Sequence, residues 1–117
     1  MSVFGHTLPK SERLSGRSAI EGLLREGRYF TSGCLKACHK EGSAEVSRIM
    51  VSVPKKLFKR AVGRNAVKRR IREAYRLQKE LLAGPRDILF IYTSAEIQPS
   101  QVIFDAVGNA LRHISGK

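Results

Sequence analysis

The stretch from Lys55 to Arg76, KKLFKRAVGRNAVKRRIREAYR, constrains this chain more than any other. It holds ten of the 22 lysines and arginines and a single acid, Glu73. Beyond Gly63 the spacing predicts a helix with two faces, running to just before Gly84-Pro85. At about 100° per residue, Val67, Ile71, Ala74, Gln78, Leu81 and Leu82 share one side, with Tyr75 at its margin. Gln78 apart, that is an ordinary core-facing stripe. Asn65, Lys68, Arg69, Arg72, Arg76 and Lys79 share the opposite side, and Arg70 projects toward the other flank. Like charges at i,i+4 repel by a few tenths of a kcal/mol per pair, and only Glu73 is at hand to offset them. A merely solvated face usually interleaves glutamate with its cations; this one does not, and a phosphate-bearing partner is the reading that fits. Arginine suits it, because its planar fork makes two parallel charge-assisted hydrogen bonds where lysine acts as a point charge. Arg64 and the loop cations Lys55, Lys56, Lys59 and Arg60 extend the patch.

Whole-chain charge agrees. A net charge of +12 on 13.1 kDa, with a pI near 10.4, points to a polyanion: nucleic acid or an anionic membrane. The longest apolar run, Ile88 to Tyr92, is far short of the ~20 residues that a membrane span needs, so no membrane partner is expected. The start, MSVFGHTLPKSER, has no apolar core of a secretory signal, and a cytoplasmic location is the expectation. Cys34 and Cys38 lie four apart, on one face if both sit in a strand, too far along the chain for an easy disulfide. With His39 pointing the other way and His6 and His113 remote, no zinc site is expected. The 117 residues suit a single domain, residues 1–117.

In order along the chain, Met1 to Lys10 reads as an extended lead-in, followed by a turn at Ser15-Gly16. A first helix runs from about Ser18 to Glu26, with Ile20, Leu23 and Leu24 on one face and Gly27 as its C′ stop, a position that is commonly left-handed. Leu35–Lys40 and Arg48–Val53 read as strands joined in an antiparallel hairpin, the second ended by Pro54. Asp87–Tyr92, DILFIY, reads as a strand buried on both faces. A last helix runs from an N-cap at Ser100 to about His113, with Val102 or Ile103, Val107, Ala110, Leu111 and Ile114 inward. The order α-β-β-α-β-α predicts an α/β (α+β) two-layer sandwich, helices on a small mixed sheet.

Hydrolytic machinery is not evident. There is no HExxH, nucleophile elbow or P-loop, and the ten acids are scattered, without the clustered carboxylates that hold a nuclease's metal pair. The chain reads as a binder rather than a catalyst. No catalytic residue and no protein metal site is assigned. A second RNA surface is suggested by Tyr29, Phe30 and Lys36, since aromatics beside cations stack unpaired bases at about 1–3 kcal/mol per base. Against that, Phe30 reads more readily as core, and Tyr29 fits either role. A general RNA- or DNA-binding module, a ribosomal-type protein or a helix-turn-helix, is the rival reading. A helix-turn-helix needs a second helix just before the basic one, where Arg48–Val53 reads as strand.

Over Val51–Arg76, VSVPKKLFKRAVGRNAVKRRIREAYR, the chain resembles the bacterial ribonuclease P protein subunit. That family carries a strand ending in Ser-Val-x-Lys-Lys, a basic loop with Ala-Val, then Arg-Asn-Arg-x-Lys-Arg-x-x-Arg on a helix. Lys55, Lys56, Arg64, Asn65, Lys68, Arg69 and Arg72 stand at the matching positions. The likeness extends over Leu14–Gly27, Asp87–Tyr92 and the last helix. It implies that the basic helix, with Arg76 continuing its face, binds the catalytic RNA of ribonuclease P. It implies that the 5′ leader of precursor tRNA lies in a cleft between the first helix and the sheet. It implies that the RNA, with Mg2+ held mainly by that RNA, cuts the leader to give the mature tRNA 5′ end. It also implies a left-handed βαβ crossover, against the usual right-handed rule, built from Arg48–Val53, the basic helix and Asp87–Tyr92. Two departures stand out. Ala66 replaces the second arginine of Arg-Asn-Arg, with Arg70 or the extra residue in Lys59-Arg60 as possible offsets. Ile20 and Leu24 stand where the family often has aromatics, which leaves Tyr29, Phe30 and Lys36 to complete a leader surface.

Overall fold

The computed structural model describes residues 12–42 and 45–115; the expected lead-in at Met1–Lys10 lies outside them. In chain order the elements are α1 (Arg17–Glu26), β1 (Arg28–Ser32), β2 (Leu35–Glu41), β3 (Arg48–Ser52), α2 (Ala61–Gln78), a 3-10 turn (Lys79–Leu81), β4 (Arg86–Tyr92) and α3 (Ser100–Ile114). Four strands form one mixed sheet in the order β1-β2-β4-β3. β1/β2 and β2/β4 are antiparallel and β3/β4 is parallel. The α+β sandwich with a small mixed sheet is therefore present, with one more strand than expected.

That extra strand changes the pairing. Leu35–Lys40 and Arg48–Val53 do not form a hairpin with each other: β4 lies between them. The reason is burial. Ile88, Leu89, Phe90 and Tyr92 are all buried, and a strand apolar on both faces is covered only in the middle of a sheet. β2 finds its hairpin partner in β1 instead, across the two-residue turn Gly33-Cys34. Gly33 has φ 56°, a positive value at the first turn position that a two-residue hairpin favours and that glycine adopts without strain. Cys34 thus sits in the turn rather than the strand, half-buried, and Cys38 is buried; both are free.

Alternation along the strands sorts side chains onto two faces. On one, Leu35, Ala37, Ile49, Val51, Ile88, Phe90 and Tyr92 meet Val67, Ile71, Ala74 and Tyr75 of α2 and Ile103, Val107, Ala110 and Leu111 of α3. On the other, Cys38 and Leu89 meet Leu14 and Leu23, with Ala19, Met50 and Ile91 packed around them. Among the described residues, the short α1 and Leu14 just before it cover this second face, and Lys36, Met50 and Ile91 stay partly exposed beside them. α1 ends at Gly27, but not through a left-handed residue: Gly27 is extended, φ −76° and ψ 166°. Its glycine is needed for space, since a Cβ there would sit 2.5 Å from the Leu23 carbonyl oxygen and 2.8 Å from Cys38 Sγ.

β3, α2 and β4 form a parallel βαβ unit, the unit for which the resemblance implies a left hand. α2 starts two residues before Gly63 and ends at Gln78, so Leu81 and Leu82 leave the α-helix. α3 is capped by Pro99, with Ser100 already helical. Its inward residue is Ile103, fully buried, while Val102 is exposed.

Candidate nucleic-acid interface

β3 fixes where α2 begins. Val53 is buried and Pro54 ends the ladder, and residues 55–60 then turn the chain onto the sheet. The first turn of α2 has neither a side-chain cap nor an acid. Its free N–H groups, with the helix dipole, leave partial positive charge beside Lys59 and Arg60. The apolar stripe packs as expected: Val67, Ile71, Ala74 and Tyr75 are buried. This turns Asn65, Lys68, Arg69 and Arg72 outward along a helix about 27 Å long.

Lys55, Lys56, Lys68, Arg69 and Arg72 make no ion pair or hydrogen bond among the described residues. Asn65 is exposed. Arg64 folds back to donate to the carbonyl oxygens of Phe58 (2.8 Å) and Lys59 (3.1 Å), which fastens the basic loop to the helix. Arg70 donates to the Gln98 carbonyl at 2.6 Å. That donor ties α2 to the β4–α3 connection, so Arg70 is poorly placed to make up for Ala66. Arg76 is engaged by Glu73, Nε to Oε1 3.1 Å and Nη2 to Oε2 2.5 Å, and Lys79 reaches Glu12 at 3.0 Å. The uncompensated charge is therefore concentrated over the first two-thirds of the helix, and Arg76 lies at its compensated end.

A cation that the sequence did not flag joins this surface. Arg13 bridges to Ile49 at the free edge of β3, with Leu14 N–H donating to the Ile49 carbonyl at 2.8 Å. Burial, and next the Arg13 charge, lower the pKa of the Arg72 guanidinium from its ordinary value. Only the docking of the segment before α1 against β3 brings the two together, and no local pattern announces it.

The open face of the sheet holds part of the second candidate set. Tyr29 of β1 is half exposed; its hydroxyl donates to the Leu24 carbonyl at 3.3 Å, and Lys36 Nζ lies 5.8 Å from the centre of its ring. Leu24 is exposed and Ile20 half-buried, on successive turns of α1. Phe30 does not belong with them. One residue along a strand reverses the side chain, so Phe30 faces α3 and stacks on His113, ring centres 3.9 Å apart at 11°.

Among the described residues no three His, Cys, Asp or Glu side chains gather as a metal site, and no helix is long and apolar enough to cross a membrane. The helix preceding α2 in the chain is α1, three strands earlier, which is not a helix-turn-helix arrangement.

Comparison with known proteins gives this geometry a family. The Ribonuclease P family model matches residues 8–115. The ribonuclease P protein component of Porphyromonas gingivalis is 39% identical, with 98% of this chain and 90% of that protein covered. That of Dictyoglomus turgidum is 39% identical over 75% of this chain and 73% of that protein. The fold matches the RNase P protein from Thermotoga maritima, TM-score 0.78 at 24% identity, with 90% of this chain and 99% of that one covered. It matches Staphylococcus aureus RNase P protein equally well, TM-score 0.78 over 89% and 95%. A basic helix set on a four-stranded mixed sheet, a family match over nearly the whole length and relatives at this identity lead to one conclusion: the chain belongs to the bacterial ribonuclease P protein family.

Proposed function

We propose that this protein binds the catalytic RNA of ribonuclease P through the outward face of α2 and helps it remove the 5′ leader of precursor tRNA. The observation that carries the reading is the group Lys55, Lys56, Lys68, Arg69 and Arg72, cationic and without a protein counter-ion among the described residues. RNA phosphates supply what the chain withholds. Arg69 and Arg72 offer planar forks, Lys68 and the loop lysines offer point charges, and Asn65 adds a neutral donor and acceptor. Arg64 keeps further N–H groups for phosphate while it holds the loop. Such contacts fix orientation and carry little sequence information.

The leader would lie on the open sheet face beside α1. Tyr29 offers a ring for an unpaired base and Lys36 a charge for the adjoining phosphate, with Ile20 and Leu24 as apolar border. Bond cleavage is assigned to the RNA. Magnesium, which would supply electrophilic stabilisation and an activated water, is held mainly by RNA in this reading, because the described residues bring no cluster of acidic ligands together.

Reconstitution tests the reading. The protein, mixed with a bacterial ribonuclease P RNA at low magnesium, is expected to restore cutting at the mature tRNA 5′ end. Processing by the protein with RNA excluded, or no gain over RNA alone, would contradict it. Arg69→Ala is expected to weaken binding to that RNA by about 1.5 kcal/mol, roughly tenfold, with the thermal midpoint unchanged because the side chain is exposed. A lowered midpoint with unchanged affinity would refute the assignment of Arg69.

A further inference from the structure

The α2 face is not the only place where cations meet without matching acids. α2 starts beyond the end of the sheet where Ser52 pairs with Ile91; β2 spans seven residues, about 20 Å, to the opposite end. There the register places Arg28 beside His39 and Glu41 beside Arg86. Alternation puts all four on the face that α2 and α3 cover, at the point where α3 runs out. His113 in the last turn of α3 stacks on Phe30 and meets His39 edge-on, ring centres 6.4 Å apart. An open cavity of about 600 Å³ is lined here by Arg28, His39, Lys40 and Arg86, with Glu26 and Glu41.

The two carboxylates do not satisfy the arginines. Glu26 pairs with Lys40 at 3.3 Å. Glu41 stands opposite Arg86 in the register yet makes no ion pair with it among the described residues, and Arg86 donates instead to the Pro85 carbonyl at 3.1 Å. Arg28 makes no ion pair among the described residues either. The carbonyl end of α3 favours cations nearby, but a helix terminus carries only about half a charge against two guanidinium groups. Burial, and after it His113, Arg86 and Arg28, lower the pKa of His39.

We propose that Arg28, His39 and Arg86 form a second anion site, which takes a backbone phosphate of RNA at the end of the sheet remote from the start of α2. The site presupposes that the protein is RNA-bound and adds to the α2 face rather than restating it. A phosphate set between the three side chains cancels the arginine repulsion and favours imidazolium at His39. Binding therefore strengthens as pH falls from 8 to 6. Arg28 from β1, Arg86 from β4 and His113 from α3 face His39, with the Lys40–Glu26 pair and Glu41 at the rim.

The phosphate has two possible sources, the ribonuclease P RNA and the precursor tRNA, and the test has an arm for each. Full-length protein is titrated with the RNA alone, and the reconstituted holoenzyme with precursor tRNA, each across a salt series. The paired substitution Arg28→Ala with Arg86→Ala is expected to reduce the log–log salt slope by about 0.7–0.9, the share of the one phosphate lost, and to weaken binding on the order of tenfold. A change in the first arm assigns the phosphate to the ribonuclease P RNA, and a change in the second to the substrate. His39→Gln, the milder variant, is expected to flatten the rise in affinity between pH 8 and 6 in the same arm. Slope and affinity unchanged in both arms overturn the site, and a pH profile unaltered by His39→Gln overturns the histidine's part. Arg69→Ala is the reference: if it lowers the slope while the paired variant does not, the second site fails and the α2 reading stands.

Discussion

Gln78 is the polar exception on an otherwise apolar helix stripe, and the structure gives the reason. Its amide donates to the carbonyl oxygens of Ala74 (3.1 Å) and Phe104 (2.9 Å), so a buried polar group is paired and α2 is tied to α3. Its room comes from Gly108, where a Cβ would lie 2.4 Å from Gln78 Oε1. Gly108→Ala would expel the amide from its bonds. That loss exceeds the gain of roughly 1 kcal/mol from helix propensity, so a net destabilisation of about 1–2 kcal/mol is expected by denaturant unfolding. In a Gln78→Ala background the same change becomes neutral or stabilising, and additive effects in that double-mutant cycle would refute the coupling. Gln78 was legible as an anomaly from periodicity alone; Gly108 was not, because nothing local marks a glycine that serves a neighbouring helix. Arg48 and Asp87 were equally hidden. They pair at Nε–Oδ1 3.1 Å and Nη2–Oδ2 2.9 Å, with Asp87 buried. Arg48→Ala strands that carboxylate and is expected to cost about 3 kcal/mol, the low end for a buried pair because the arginine is a quarter exposed.

Among the elements, β1 was the one that periodicity missed. Arg28-Tyr29-Phe30-Thr31-Ser32 has the aromatic and β-branched content of a strand, but its five residues give too short an alternation to separate from a loop. The signal lay after it, in a glycine at the first position of a two-residue turn. DILFIY carried the rest of the topology: a strand with no polar face must be interior, which rules out a hairpin between the strands that flank it. The error bears directly on the candidate surface, since β1 turns Tyr29 and Phe30 to opposite faces. Tyr29→Ala is accordingly expected to weaken holoenzyme binding of a leader-bearing precursor by about 1–3 kcal/mol, with ribonuclease P RNA affinity unchanged; an equal loss on both would remove the leader assignment. At the end of β2, the lowered pKa of His39 has its own consequence. Between that value and the unfolded value near 6.5, the unfolded chain binds more protons. Stability of the free protein therefore rises with pH through this window and falls on acidification below about 6.5. His39→Gln should remove that part of the slope in thermal unfolding measured from pH 7 to 5.

At the scale of the whole molecule, the fold is a holder for charge that it does not neutralise. The cationic face was legible because a helix repeat and a count of acids are both local facts. Its true extent was not: Glu73 and Glu12 compensate the C-terminal end, and Arg64 and Arg70 bind carbonyl groups, pairings that only the packed chain reveals. What is left should be read out by counterion release. The affinity of the intact protein for ribonuclease P RNA, measured against monovalent salt, tests this most directly. With about five to seven phosphates neutralised at ~0.7 per contact, the log–log slope is expected to be about −4 to −5. A slope near −1 would mean that the basic helix is not the surface that meets RNA.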